Sequence, residues 1–199
     1  MPEVKPIYDE KPPAEDSARY FWREAVKVIL GAVLAVVVIR HFIFKPFYVE
    51  GPSMQPTFDQ KQYLIIDELS YRFRDPPRGD VIVFRQESDG KVEYLLKRII
   101  GLPGERIKIS DNVVSIYNDE HPQGVVLKES YLPTGLITPG EKTVTLGAGQ
   151  YFVMGDNRVN SRDSRHFGPI ERWQLVGRVL LRGWPISEAH VFKPTQYEL

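Results

Sequence analysis

The apolar residues of this chain form one long unbroken block, followed by a series of short ones. Residues 28–39 are a run of twelve apolar residues, set within 25–44 and flanked by Lys27 and Arg40. As a helix rising ~1.5 Å per residue, 25–44 spans about 30 Å, close to the hydrocarbon thickness of a bilayer. The run has no polar face, and it ends in Arg40-His41-Phe42-Ile43-Phe44-Lys45-Pro46, without the small residues of a cleaved leader. One uncleaved transmembrane helix over 25–44 is therefore expected. Residues 1–24 ahead of it read as a flexible tail, polar and proline-rich with no period. Lys5, Lys11, Arg19 and Arg23 precede the anchor, against Lys45 and Lys61 after it. That excess sets the N-terminus in the cytoplasm and residues 45–199 outside.

Beyond Phe47 the blocks shorten to strand length. Strands are predicted over 63–67, 80–84, 93–100, 150–154 and 175–181, with a hairpin of 106–109 and 113–117 turning at Asp111-Asn112. Asp75-Pro76-Pro77-Arg78-Gly79 and Gly101-Leu102-Pro103-Gly104 are turns. Residues 118–148, with Pro122, Pro133 and Pro139, read as loop. The fold class is mainly β, without βαβ alternation.

Composition removes several chemistries. The 199 residues carry 26 Lys plus Arg and 26 Asp plus Glu, so the basic excess of a nucleic-acid binder is missing. There is no cysteine, which excludes disulfides, thiolate metal sites and a cysteine nucleophile. Serine then becomes the nucleophile to consider, and Gly51-Pro52-Ser53-Met54-Gln55-Pro56-Thr57 holds one in a rigid turn just after the apolar block. Serine needs a base. Of His41, His121, His166 and His190, His166 is the serious rival, with Asp163 three residues before it, while His41 lies in the anchor's exit and His121 precedes a proline in a loop. The Gly-x-Ser-x-Gly elbow of a Ser-Asp-His hydrolase is absent, however.

Lys97 is the other candidate base. In a strand it shares a face with Leu95 and Ile99, while Arg98 shares the opposite face with Leu96 and Ile100. Burial disfavours the charged form of lysine and can lower its pKa by several units. Arginine cannot be neutralised in this way. Taken alone, the strand equally allows the Lys97 ammonium to reach water. The polar loop at 155–165 follows an apolar strand, and its Asn160 and Ser161 could orient a lysine while Asp163 pairs with Arg165. Such a loop is also compatible with a solvated turn.

Four stretches together resemble the type I signal peptidases, membrane-anchored serine-lysine endopeptidases. They are 51–57, 78–84, 97–105 and 155–168, and the likeness runs from about residue 20 to about 192. The resemblance implies that Ser53 is the nucleophile and Lys97 the general base. Ser161 would hydrogen-bond the lysine, and Asp163 and Arg165 would form a supporting ion pair. It implies antiparallel sheets in a catalytic domain at 45–199, with a smaller β region inserted at about 105–147. It implies small P1 and P3 residues in the substrate, with Val49, Met54, Leu95 and Leu96 lining shallow pockets. The partners it implies are signal peptides of exported preproteins and the lipid bilayer, with no metal or organic cofactor. Phe42, Phe44, Phe47, Tyr48 and Phe58 are candidates for the membrane interface. Two positions depart from the family pattern. Gly51 stands where some members carry a serine whose hydroxyl completes the oxyanion hole, so the Ser53 backbone N–H is one donor and the second is open. Val159 replaces the usual aspartate. A catalytically inactive, membrane-tethered peptide-binding domain and a self-cleaving regulatory serine-lysine protease are the alternatives.

Overall fold

The computed structural model describes residues 14–42, 44–88, 90–193 and 197. It divides into two units, Met1–His41 and Phe42–Leu199. The first is a single helix, α1, Ala14–Phe42. It starts well before the expected anchor, so residues 14–24 are helical where a flexible tail was expected; residues 1–13 lie outside the described residues. Ala, Glu and Arg favour helix here, and Glu24 and Lys27 pair across one turn at 2.7 Å. Among the described residues, no helix is long and apolar enough to cross a membrane. The physical reason lies in the run itself: twelve apolar residues rise only about 18 Å, and cations bound it. Its apolar side chains are nonetheless uncovered, with Val28, Ile29, Leu30, Leu34 and Val36 all more than half exposed.

Among the described residues, the second unit contains twelve strands, one short α-helix and three 3-10 turns. In chain order the strands are β1 (Phe44–Tyr48), β2 (Tyr63–Asp67), β3 (Val81–Ser88), β4 (Lys91–Gly101), β5 (Arg106–Ser110), β6 (Val113–Tyr117), β7 (Val125–Val126), β8 (Lys142–Thr145), β9 (Gln150–Met154), β10 (Ile170–Glu171), β11 (Leu175–Trp184) and β12 (His190–Val191). Helix α2, Ser164–Phe167, lies between β9 and β10. The larger antiparallel sheet has the order β1-β2-β11-β3-β4-β9-β10, with β12 added on β11. The smaller sheet, β7-β6-β5-β8, is built entirely from residues between Arg106 and Thr145. β7 and β8 fall in the stretch read as loop. Both are short, and β8 (Lys-Thr-Val-Thr) is only half-buried, so it has no apolar block to announce it.

The patterns follow from which faces are covered. In β3, Val81 and Val83 enter one apolar cluster while Ile82 and Phe84 enter another. A strand buried on both faces reads as a continuous apolar run, as this one does. β5 is covered on one face only: Ile107 and Ile109 point in, Arg106 and Lys108 out. Its turn to β6 places Asp111 at φ 52° and Asn112 at φ 63°, the left-handed pair of a two-residue hairpin turn that these side chains tolerate. The two sheets meet at Gly101, where a Cβ would lie 2.6 Å from Ile107 and 2.8 Å from Leu146.

Of the aromatic residues expected at a membrane interface, Phe58 is fully buried in the core beside Met54 and Leu64. Phe47 is half-buried against the same cluster, and Tyr48 is exposed. The side chains of Phe42 and Phe44 lie outside the described residues.

Candidate active site

The turn after β1 carries Ser53. Gly51, at φ +80°, allows the chain to reverse there. Gln55 N–H then donates to Pro52 O at 3.1 Å, and Phe58 N–H to Met54 O at 2.9 Å. Met54 and Phe58, both buried, pin the turn onto the apolar cluster below it. The Ser53 N–H donates to no protein group among the described residues, which leaves it available as an oxyanion donor. Gly51 has open space where a side chain would begin.

Lys97 lies in the inner half of β4, opposite Ile82 of β3. From Leu96 onward both faces of β4 are buried, so Lys97 is 3% exposed and Arg98 4%. The ammonium does not reach water. Its Nζ lies 2.8 Å from Ser53 Oγ and donates to Leu96 O at 2.8 Å. Burial pulls the Lys97 pKa down to about 8; the Asp163 and Asp156 carboxylates oppose that shift without cancelling it. The neighbouring cation has the opposite fate. Arg98 forms a two-pronged ion pair with Asp156, at 2.9 and 2.6 Å, and the Tyr131 ring covers its guanidinium at 3.9 Å.

The 155–168 loop holds the turn from the other side. Asn157 N–H donates to Ser53 O at 3.0 Å, and its side-chain amide to Pro52 O at 3.2 Å. Thr57 Oγ1 donates to Asp156 Oδ2 at 2.6 Å. Arg158, 1% exposed, ties the loop to the connection between β7 and β8 through Glu129, Thr138 and Tyr131. Thr57, Arg98, Asp156 and Asn157 were not selected as site residues from the sequence. Their only signal is their position in motifs already noted: Thr57, Arg98 and Asp156 bond through side chains far apart in sequence, and Asn157 bonds backbone carbonyls, which leave no residue-type pattern.

The sequence-selected support residues divide. Asp163 is fully buried, pairs with Arg165 at 2.8 and 2.9 Å, and accepts from Gly155 N–H at 3.0 Å. Arg165 and the Gly155 N–H hold its carboxyl below the usual range despite its burial. Ser161 Oγ is buried and packs over Gly155 beside the Ser53 main chain; among the described residues it makes no hydrogen bond of good geometry, though its hydroxyl lies close enough to Asp163 to help lower that carboxyl. Its expected bond to Lys97 is thus not made in this geometry, where Lys97 Nζ is engaged by Ser53 and Leu96. Asn160 is exposed; its backbone N–H donates to Asn157 Oδ1 at 3.1 Å, and its side chain has no bond to the lysine among the described residues. It steadies the clamp rather than the base.

Asp163 and His166 serve another purpose as a pair. They form the capping box of α2, and the imidazole is 60% exposed. His166→Ala should therefore keep most peptidase activity and cost about 0.5–1 kcal/mol of stability. Steady-state cleavage and a thermal melt check this; loss of activity in a folded variant would reinstate the histidine.

A cleft of about 240 Å³ runs past Ser53 and Lys97, with residues 47–51 and Met54 on one side and residues 94–97 on the other. It contains Val49, Met54, Leu95 and Leu96, the four apolar residues expected to line substrate pockets. Two strand edges face it. β1 is the last strand of its sheet, and β9 pairs with β4 only from Arg98 onward, which leaves Tyr94 to Lys97 open on that side.

A half-buried serine hydrogen-bonded by a buried lysine beside an open cleft is an arrangement that acyl-transfer chemistry could use. The family model described as signal peptidase, peptidase S26, matches residues 22–184. A signal peptidase I of Bacillus caldolyticus is 38% identical over 164 residues, 79% of this chain and 88% of its own length. A probable signal peptidase I-2 of Synechocystis sp. is 37% identical over 172 residues, 83% of this chain and 74% of its own. Signal peptidase IB of Staphylococcus aureus is 30% identical over 187 residues, covering 86% and 96%. The chain belongs to the signal peptidase family, peptidase S26, and is a hydrolase of peptide bonds.

Proposed function

We propose that this chain removes N-terminal signal peptides from exported preproteins at the outer face of the membrane, with Ser53 as nucleophile and Lys97 as general base. The observation that carries this reading is the 2.8 Å approach of a buried Lys97 Nζ to Ser53 Oγ. Neutral Lys97 takes the Ser53 hydroxyl proton as Oγ attacks the scissile carbonyl carbon. The Ser53 N–H donates to the oxyanion that forms. Lys97 passes its proton to the leaving amine, the C–N bond breaks, and an acyl ester remains on Ser53. Lys97 then takes a proton from water, whose oxygen attacks the ester carbon; the bond to Ser53 Oγ breaks, Lys97 returns the proton to Oγ, and the new carboxyl end is released with Ser53 and neutral Lys97 restored. Asp163 and Arg165 support the loop, and Ser161 packs against Gly155 beside the nucleophile turn.

The substrate lies extended in the gap between β1 and β4 and adds a strand there. Its P1 and P3 side chains point toward Val49, Met54, Leu95 and Leu96, where only small groups fit. The uncovered apolar side chains of α1 sit in the bilayer, with the N-terminus in the cytoplasm and the catalytic domain outside. Tethering enzyme and leader to one surface raises their effective concentration.

Incubating the detergent-solubilised chain with a preprotein, and reading the cut site by mass spectrometry, tests the assignment. A cut immediately after a small residue at the end of the leader is the expected outcome; an intact preprotein would favour a peptide-binding role. The pH profile tests the base. Only neutral Lys97 can accept a proton, so kcat/KM should rise about tenfold per pH unit below about 8 and level off above it. A profile that is flat from pH 6 to 9 would remove Lys97 from that role.

A further inference from the structure

Behind the serine turn lies a group of four charges that takes no part in the proton transfers. Arg98 pairs with Asp156 and Arg158 with Glu129, and all four side chains are nine-tenths buried or more. Tyr131 joins the two pairs. Its ring covers the Arg98 guanidinium at 3.9 Å, while its hydroxyl accepts from Arg158 at 3.0 Å and donates to Glu129. Two cations and two carboxylates in a dry place hold together only while each keeps its partners.

Tyr197 closes one edge of this group. Its ring stands perpendicular to that of Tyr131, with centroids 6.1 Å apart, and packs against the apolar cluster of Ile100, Phe152 and Met154. It also forms part of the wall of a hollow of about 610 Å³, with Arg78, Leu102, Glu105 and Asn118. Tyr197 thus stands between an open hollow and the charges. Its hydroxyl is buried and makes no hydrogen bond of good geometry among the described residues. Burial pushes that phenol up to about 12, against the pull of Tyr131 and Arg98. What this place uses is the body of the ring, not its polar tip.

The charges connect to the nucleophile. Asp156 Oδ2 accepts from Arg98 and from Thr57 Oγ1, each at 2.6 Å, and Thr57 belongs to the Ser53 turn. The next residue, Asn157, donates its N–H to Ser53 O at 3.0 Å. Water admitted beside Asp156 would compete for these bonds, since an ion pair weakens steeply as the local dielectric rises.

We propose that Tyr197 is a positioning residue for the Ser53 turn: its ring keeps water from the Arg98–Asp156 pair, and that pair, through Thr57 and Asn157, fixes where the serine stands. The proposal rests on the reading of Ser53 as nucleophile. Tyr197→Ala, Tyr197→Leu and Tyr197→Phe, each in the whole chain in detergent, test it. A slight displacement of the reacting oxygen should lower kcat on a preprotein about tenfold in the alanine and leucine variants, with KM within about twofold because the cleft is untouched. Phenylalanine keeps the ring and should keep kcat within about twofold. Hydrogen exchange at the Asn157 amide should quicken about tenfold in the first two variants while the amides between β2 and β11 keep their parental rates. Added to Thr57→Val, Tyr197→Leu should cost less than about twofold more, because both act through Asp156. Parental kcat and parental Asn157 exchange in the folded leucine variant would overturn the proposal. So would exchange that quickens equally between β2 and β11, or full additivity with Thr57→Val. Exchange is read whether or not the parent cleaves, so a parent that leaves the preprotein intact counts against the serine-lysine reading and not against Tyr197.

Discussion

Lys97→Met is expected to abolish cleavage and at the same time make the protein more stable. Activity should fall a thousandfold or more, since the variant has no group to take the Ser53 proton. Ser53→Ala should fall as far, because no acyl ester can form. The stability gain has a separate origin. Lys97 is 3% exposed and its pKa is lowered from 10.5 to about 8, so below about pH 8 the native state holds a charge in a place that resists it. The unfolded chain binds that proton more tightly between these two values. Stability therefore rises with pH across that window, and the full penalty is present below it. At pH 7 the penalty is about 3 kcal/mol, at ~1.4 kcal/mol per unit. Methionine has a similar length and no charge, and should recover much of it. Urea unfolding at pH 7 and pH 10 checks this: the variant should gain at pH 7 and converge with the parent at pH 10. An active Lys97→Met enzyme would end the serine-lysine assignment, and an unchanged midpoint at pH 7 would mean that the lysine is solvated.

Gly155→Ala is the second large effect, and it involves no titrating group. A Cβ at Gly155 would fall inside contact distance of Ser161 Oγ and of the Ser53 carbonyl oxygen. Ser161 can rotate, but the Ser53 carbonyl belongs to the backbone and is held by Asn157 N–H. The nucleophile turn must therefore move by a fraction of an ångström or more. Misplacement on that scale costs about 100-fold in rate, and overpacking adds about 1–3 kcal/mol of destabilisation. Peptide turnover and a melting curve on the same sample separate the two. A fully active Gly155→Ala protein would show that the 155–168 loop does not set the position of Ser53.

These two positions also mark what the residues disclosed and what they kept hidden. Lys97 was legible because alternation along a strand put it between Leu95 and Ile99, and lysine is the cation that burial can neutralise. The strand alone left its exposure open; that depended on the Ser53 turn and the 155–168 loop closing around the side chain, a tertiary fact with no local pattern. The hairpin at Asp111-Asn112 was legible because its turn depends on two residues that accept positive φ. β8 was not, since its half-buried Lys-Thr-Val-Thr pairs only along one edge. Asn160 and Asn157 illustrate the limit most directly: two asparagines in one polar loop, of which the sequence pointed to the one that faces solvent. The one that grips the Ser53 turn does so on two backbone carbonyls, one through its own N–H, which nearly every residue has.

In the proposed binding mode the substrate enters the slot between the edges of β1 and β4 as one extended strand. Neighbouring strands lie about 4.8 Å apart, whereas a helix with its side chains is about 10–12 Å across. A leader still coiled at its scissile bond is locked out, whatever residues it presents. Admission waits until several consecutive residues are drawn out straight, which happens as a chain emerges and before it packs. The slot thereby acts as a timer: it opens a short interval for cutting between emergence and folding, and it spares small-residue sequences already sealed inside finished domains.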